Sequence, residues 1–168
     1  MAKTPIPVAF ELNGRRVLGW FAPNATLMEA LREEFGATEV KYGCGEGVCG
    51  TCTVLLDGEP VNSCLMFAAQ ASERSVVTLQ GLVDDDGDLH PLQCAFLECG
   101  ASQCGFCTPG MVLTALHYAE GGGTPDRDAI REALAGNLCR CTGYQKIVDA
   151  VERYVASRPA GDRMEAGA

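Results

Sequence analysis

The chain has 168 residues, 10 of them cysteine, with 47% hydrophobic and 21% charged residues and a formal net charge of −9. That length admits one domain or two small ones with modest cores, and the acidic balance excludes nucleic acid and anionic membrane surfaces as partners. No run approaches the ~18 apolar residues that a membrane span requires. Met1 to Phe10 carries two prolines and no apolar stretch, so no secretory signal is expected. A cytoplasmic location follows, in which thiols stay reduced and clustered cysteines mean metal or redox chemistry.

Ile6, Val8, Phe10 and Leu12 alternate with other residues, Asn13-Gly14 follows, and Val17 to Phe21 is again strand-like. Asn-Gly between two such runs is a strong hairpin signal. Trp20 and Phe21 fall on opposite faces of the second strand, so one is expected in the core and the other at an edge or contact. Thr26 to Glu29 reads as a capping box. It opens a helix whose apolar stripe is Leu27, Ala30, Leu31 and Phe35 and which stops at Gly36. Thr53 to Leu56, the Asp57-Gly58 turn and Pro60 to Ser63 form a second hairpin, and Val76 to Leu79 a fifth strand. The expectation is a small α+β sheet under one helix.

Between that helix and the second hairpin lies KYGCGEGVCGTC, with Cys44, Cys49 and Cys52, and a fourth thiol follows at Cys64. Cys-x4-Cys-x2-Cys with one distant Cys is the spacing of plant-type ferredoxins, whose four thiolates hold a [2Fe–2S] cluster. Gly43, Gly45, Gly47 and Gly50 let a loop adopt positive φ and bring its N–H groups close to sulfur. A structural zinc site is the alternative, although zinc sites usually pair two short knuckles.

Gly81 to Asp88 is an acidic connector without periodicity, and the domain boundary is placed there, giving 1–83, 84–158 and a frayed tail at 159–168. Beyond it the pattern is helical: Pro91 to Cys99, Pro109 to Glu120, a third helix restarting at Thr124-Pro125 with Ile130, Ala133 and Leu134 apolar, and a fourth after Thr142-Gly143 with Ile147, Val148, Val151, Tyr154 and Val155 in helical register. Two helical hairpins make a four-helix domain.

QCGFCTPG places Cys104 and Cys107 just before the second of these helices, with Thr108 available as a cap and Pro109 at its start. GNLCRCTGY places Cys139 and Cys141 just before the fourth. If the hairpins pack with pseudo-twofold symmetry, all four thiols converge at two helix N-termini, whose positive ends favour an anionic metal–sulfur centre. Zinc again remains the alternative. Cys94 and Cys99 lie five apart and read as small buried hydrophobes, or one of them as a partly exposed thiol. His90 and His117 have no ligand-spaced neighbour and read as structural, and Asp84-Asp85-Asp86 as a solvated loop.

CGEGVCGTCTVLLDG, QCGFCTPGM and GNLCRCTGY, in this order, resemble the iron–sulfur subunit of the molybdenum hydroxylases, the xanthine oxidase, aldehyde oxidoreductase and carbon monoxide dehydrogenase family, from about Val8 to Val155. The resemblance implies a ferredoxin-like β-grasp domain followed by a four-helix domain. It implies an outer [2Fe–2S] cluster on Cys44, Cys49, Cys52 and Cys64 and an inner one on Cys104, Cys107, Cys139 and Cys141. It places Gln103 and Cys141 near the pterin of a molybdopterin cofactor, in its cytosine dinucleotide form, held by a large partner subunit. It further implies a medium FAD-binding subunit, a dimer of heterotrimers, and electron relay from molybdenum to FAD or an external acceptor. This chain itself holds no catalytic residue. Departures from the family pattern are Thr51 in place of Ala, Glu39-Val40 in place of Gly-Thr, and the extra Cys94 and Cys99. A carboxylate at Glu39, near the outer loop, is expected to bear on the outer centre's potential or its partner contact. A freely diffusing ferredoxin-type carrier is the rival reading, but a simple carrier needs only the first motif.

Overall fold

A computed structural model describes residues 4–158; the expected tail at 159–168 lies outside them. Strand β1 (Ile6–Leu12) pairs antiparallel with β2 (Arg15–Phe21), in register from Ile6 opposite Phe21 to Leu12 opposite Arg15. Asn13 and Gly14 join them with φ of 50° and 77°, the double left-handed turn that matches strand twist. Phe21 is buried and Trp20 exposed, as alternation requires.

Helix α1 (Leu27–Glu29) has its capping box. The Glu29 N–H donates to Thr26 Oγ1 at 3.1 Å, and the Thr26 N–H donates to Glu29 Oε2 at 2.7 Å. The expected α-helix does not continue to Phe35. After one turn it widens into a π turn (Ala30–Glu34), in which the Phe35 N–H reaches back to the Ala30 carbonyl at 3.4 Å. The extra residue accompanies the seating of Phe35 edge-on to Phe10 and Phe21, ring centroids 5.4 and 6.1 Å away.

Strands β3 (Thr53–Leu56) and β4 (Glu59–Asn62) form the second hairpin, and β5 (Ser75–Val77) completes the sheet in the order β2-β1-β5-β3-β4. β5 runs parallel to β1 and antiparallel to β3, the arrangement of a β-grasp. It ends short of the expected Leu79. The Thr78 N–H turns to Asn13 Oδ1 at 2.8 Å and its hydroxyl to Glu39 Oε1 at 2.6 Å, and the chain enters a 3₁₀ turn (Leu79–Leu82). Glu39 is thus tied to the end of the sheet through Thr78.

Helices α2 (Pro91–Glu98), α3 (Thr108–Glu120), α4 (Arg127–Ala133) and α5 (Gln145–Ser157) form two hairpins, each a short helix followed by one of 13 residues. Two caps differ from the sequence reading. Asp126, not Thr124, caps α4, accepting from Asp128 N at 3.1 Å and Ala129 N at 2.8 Å. Thr108 is the first residue of α3 rather than its N-cap, and its hydroxyl donates to Ser102 Oγ at 3.1 Å. His90 caps α2 through Nδ1, 3.2 Å from Leu92 N.

One core lies between the sheet and α1, built on Val8, Phe10, Leu27, Leu31, Val54, Leu56 and Val76. The second lies among the helices, and Leu55 belongs to it, with Val77 and Leu79 packed on its border. All four residues of β3 are buried, because helices cover the sheet face opposite α1. Among the described residues no helix is long and apolar enough to cross a membrane.

Candidate metal centres

The loop between the π turn and β3 carries three of the first four thiols. Gly45, Gly47 and Gly50 take positive φ (71°, 75° and 66°), as expected, but Gly43 does not. What Gly43 supplies is room: a Cβ there would lie 2.5 Å from Thr51 Oγ1 and 2.7 Å from Cys49 Sγ. The Glu46 N–H donates to Cys44 Sγ at 3.3 Å. That amide, with the Cys49 thiol and the Val48 N–H, holds the Cys44 thiol down at about 6. Cys52 and Cys64 are buried. Burial, opposed by the Cys64 N–H, pushes Cys52 up to about 11. Cys64 is delivered by the turn after β4, where the Ser63 hydroxyl donates to the Cys52 carbonyl at 2.6 Å. The Cys44 thiol interacts with that of Cys49, and the Cys52 thiol with that of Cys64.

The second four thiols meet where α3 and α5 begin. Cys107 is the N-cap residue of α3, and Cys139 and Cys141 precede α5, whose entry is turned by Tyr144 at φ 66°. Cys141 Sγ lies 3.5 Å from Cys104 Sγ, and Cys107 pairs with Cys139. Tyr144 braces the loop, its hydroxyl accepting from Cys139 N at 2.9 Å and donating to the Asn137 carbonyl at 3.2 Å. Burial, then contact with Cys139, pushes Cys107 up to about 12. Burial raises Cys139, but the Thr142 hydroxyl and N–H, together with the Cys141 N–H and the Cys107 thiol, bring it below its ordinary value. The Phe106 N–H lowers Cys104, and contact with Cys104 raises Cys141. Cys104 and Cys141 are solvent-exposed, Gln103 beside them is exposed, and Phe106 and Leu138 flank them as exposed apolar side chains.

Each set is all-thiol, arranged two and two, with backbone N–H groups aimed at sulfur. Among the described residues no three His, Cys, Asp or Glu side chains are arranged around one metal-ion position. Four thiols are the donor set that a [2Fe–2S] cluster takes, so the residues present fit such a cluster at both places.

The two loops touch. The Leu138 N–H donates to the Cys49 carbonyl at 2.9 Å, and buried Asn137 Nδ2 donates to the Gly50 carbonyl at 2.9 Å. Gly50 and Gly110 approach so closely that a Cβ on Gly110 would strike the Gly50 carbonyl oxygen.

Sequence reasoning missed Asn137, Tyr144 and two hydroxyls on sulfur: Thr51 Oγ1 lies 3.3 Å from Cys49 Sγ, and Thr142 Oγ1 3.1 Å from Cys139 Sγ. A threonine two or three residues after a loop cysteine was the available signal. Of the residues set aside, Cys94 and Cys99 are half-buried in and beside α2. Asp84 closes its own loop by accepting from Asp86 N and Asp88 N. His117 Nδ1 lies 3.2 Å from the Gly58 carbonyl, and Nε2 3.8 Å from Glu59.

The family profile described as "2Fe-2S iron-sulfur cluster binding domain" matches residues 10–80, and that described as "[2Fe-2S] binding domain" matches 78–152. The nicotinate dehydrogenase small FeS subunit of Eubacterium barkeri is 50% identical over 155 residues, covering 92% of this chain and 98% of that subunit. The nicotine 6-hydroxylase small subunit of Paenarthrobacter nicotinovorans is 47% identical, covering 87% of each. Among solved structures, quinoline 2-oxidoreductase from Pseudomonas putida 86 superposes with a TM-score of 0.87 at 43% identity, covering 92% of this chain and 95% of the matched one.

Proposed function

Because the chain belongs to the family of small iron–sulfur subunits of molybdenum hydroxylases, we propose that Cys44, Cys49, Cys52 and Cys64 hold its outer [2Fe–2S] cluster and Cys104, Cys107, Cys139 and Cys141 its inner one. The chain is the electron-transfer subunit of a multisubunit molybdenum oxidoreductase, and it works with partner subunits. Bound in these sites, the clusters supply two one-electron centres. The chain's own residues fix their spacing, shield them and direct N–H donors at their sulfurs. The observation that carries this reading is the contact between two all-thiol sets: Cys139 is bonded to Leu138, whose N–H meets the Cys49 carbonyl at 2.9 Å.

Burial distinguishes the two ends. The Cys104–Cys141 edge is open and rimmed by Phe106 and Leu138, which supports seating it against the large subunit, with Gln103 and Cys141 toward the pterin. We assign that pterin as molybdopterin cytosine dinucleotide, the electron acceptor beyond the outer site as FAD on a medium subunit, and the assembly as a cytoplasmic dimer of heterotrimers. The cluster-binding units are taken as 1–83 and 84–158.

Iron and acid-labile sulfide counts with low-temperature EPR test the ligand sets. About four irons and four sulfides per chain and two distinguishable S = 1/2 signals are expected. Cys64→Ser is expected to abolish or alter only one signal and Cys107→Ser only the other. Stoichiometric zinc without either signal would sink the reading.

A further inference from the structure

We infer that Thr51 is a positioning residue for the outer centre: its hydroxyl donates a hydrogen bond to the Cys49 sulfur and raises that centre's reduction potential, biasing the electron toward the outer end of the chain. This inference rests on the ligand assignment proposed above.

Thr51 Oγ1 lies 3.3 Å from Cys49 Sγ and 3.5 Å from the Lys41 carbonyl. A hydroxyl has one proton to give. At 3.5 Å an O–H···O contact is too long to be a good bond, whereas 3.3 Å is an ordinary distance for the larger sulfur atom. Once Cys49 is a metal-bound thiolate it has no proton, so the hydroxyl must be the donor. Thr51 is buried, and the interaction is therefore little screened. Gly43 makes the approach possible, since a Cβ there would crowd both Thr51 Oγ1 and Cys49 Sγ.

A donor at a ligating sulfur favours the form with more negative charge on that sulfur, which is the reduced one. Cys49 is also the residue whose carbonyl takes the Leu138 N–H, so the hydroxyl acts on the side of the outer centre that faces the inner motif. The inner motif carries its own counterpart. Thr142 Oγ1 accepts from Tyr144 N at 3.1 Å and lies 3.1 Å from Cys139 Sγ. The two hydroxyls therefore pull the shared electron toward opposite centres, and loss of either moves the balance. The resemblance leads one to expect Ala at position 51, where this hydroxyl could not exist.

The test is a redox titration of the full cluster-loaded chain, following the two EPR signals separately in wild type, Thr51→Val, Thr51→Ala and Thr51→Ser. The expected result is that Val and Ala shift electron occupancy of the outer centre down about tenfold at a given potential, ~59 mV for a one-electron couple. The inner midpoint stays fixed and Ser restores the wild-type value. Equal outer midpoints in wild type, Val and Ala with both clusters present would overturn the inference. So would an equal shift in Ser, which would mark packing rather than the hydroxyl as the cause. Two signals in wild type keep the ligand assignment standing whatever the midpoints do; a wild-type chain without an outer signal would remove that assignment and this inference together.

Discussion

Replacing Gly110 by Ala sets helix propensity against close packing, and the structure decides the sign. Gly110 is the third residue of α3, so the exchange gains at most about 1 kcal/mol of propensity. The new Cβ would strike the Gly50 carbonyl oxygen, with Gly50 C at 3.3 Å and Asn137 Nδ2 at 3.2 Å. None of these can swing away. Two are backbone atoms of the loop that carries Cys49 and Cys52, and the amide is held by its 2.9 Å bond to that same carbonyl. Overpacking against such a wall costs ~1–3 kcal/mol, and the upper part of that range applies where backbone must move. The net effect is a loss of about 1–2 kcal/mol. At ~2–4 °C per kcal/mol for a chain of this size, the thermal midpoint falls by roughly 2–8 °C. Visible circular dichroism of the cluster-loaded chain during heating reads this directly. Gly136→Ala is the control: its Cβ would meet nothing within 4 Å, and its midpoint is expected to match the wild type. A Gly110→Ala chain that melts at or above the wild-type temperature would refute the close approach of the two loops.

Asn137→Ala removes the amide bridge but leaves no orphan, because the Gly50 carbonyl still takes the Thr53 hydroxyl at 2.8 Å; a loss of about 1 kcal/mol is expected, and no loss in the same melt would show that the bridge is not formed. His90 has its pKa lowered from 6.5, first by burial and then by Arg158, against a raising pull from Glu120. The neutral ring is what caps α2, since Nδ1 must accept from Leu92 N. The folded state thus binds its proton less readily than the unfolded state. The stabilisation is fully present above pH 6.5 and is lost as pH falls from there through the lower folded-state value. His90→Asn keeps a capping oxygen without the titration, so melts at pH 7.5 and 5.5 are expected to differ less in the variant than in wild type; an equal difference would clear His90 of the effect.

What the sequence made legible was local. Asn13-Gly14 carries its turn conformation in two residues, Thr26 and Glu29 cap each other across one turn, and the cysteine spacings are set by the loops that hold them. What it hid depended on partners far along the chain. Nothing in Thr53-Val54-Leu55-Leu56 says that the strand is covered on both faces until α3 is seen against it. The restart expected at Thr124-Pro125 falls later because Asp126 caps α4, reaching two amides at once. Thr108 looked like a cap only while the start of α3 was drawn one residue late. The π turn after α1 reflects Phe10 and Phe21, which receive Phe35 from a different element. Nothing around Glu39 in the sequence names its partner Thr78, which lies far along the chain.

The hydrogen bond between Leu138 and Cys49 makes the two sites mechanically dependent. Each loop is held by its own braces, Tyr144 on one side and the Ser63 hydroxyl on the other, but their separation is set by the glycine contact and by two bonds that cross it. A change at that crossing therefore alters stability and inter-site spacing together, whereas a change at Thr51 or Thr142 alters the charge balance and leaves the spacing alone. The exposed edge adds a third control. Cys104 and Cys141 lie open between Phe106 and Leu138, an apolar rim of the kind that a partner surface covers. Covering that edge removes water from one end of the inner set while Cys107 and Cys139 stay as they are. Docking at that edge, as proposed above, would change the surroundings of the proposed inner centre more than those of the outer one, whose Cys52 and Cys64 are already buried within this chain.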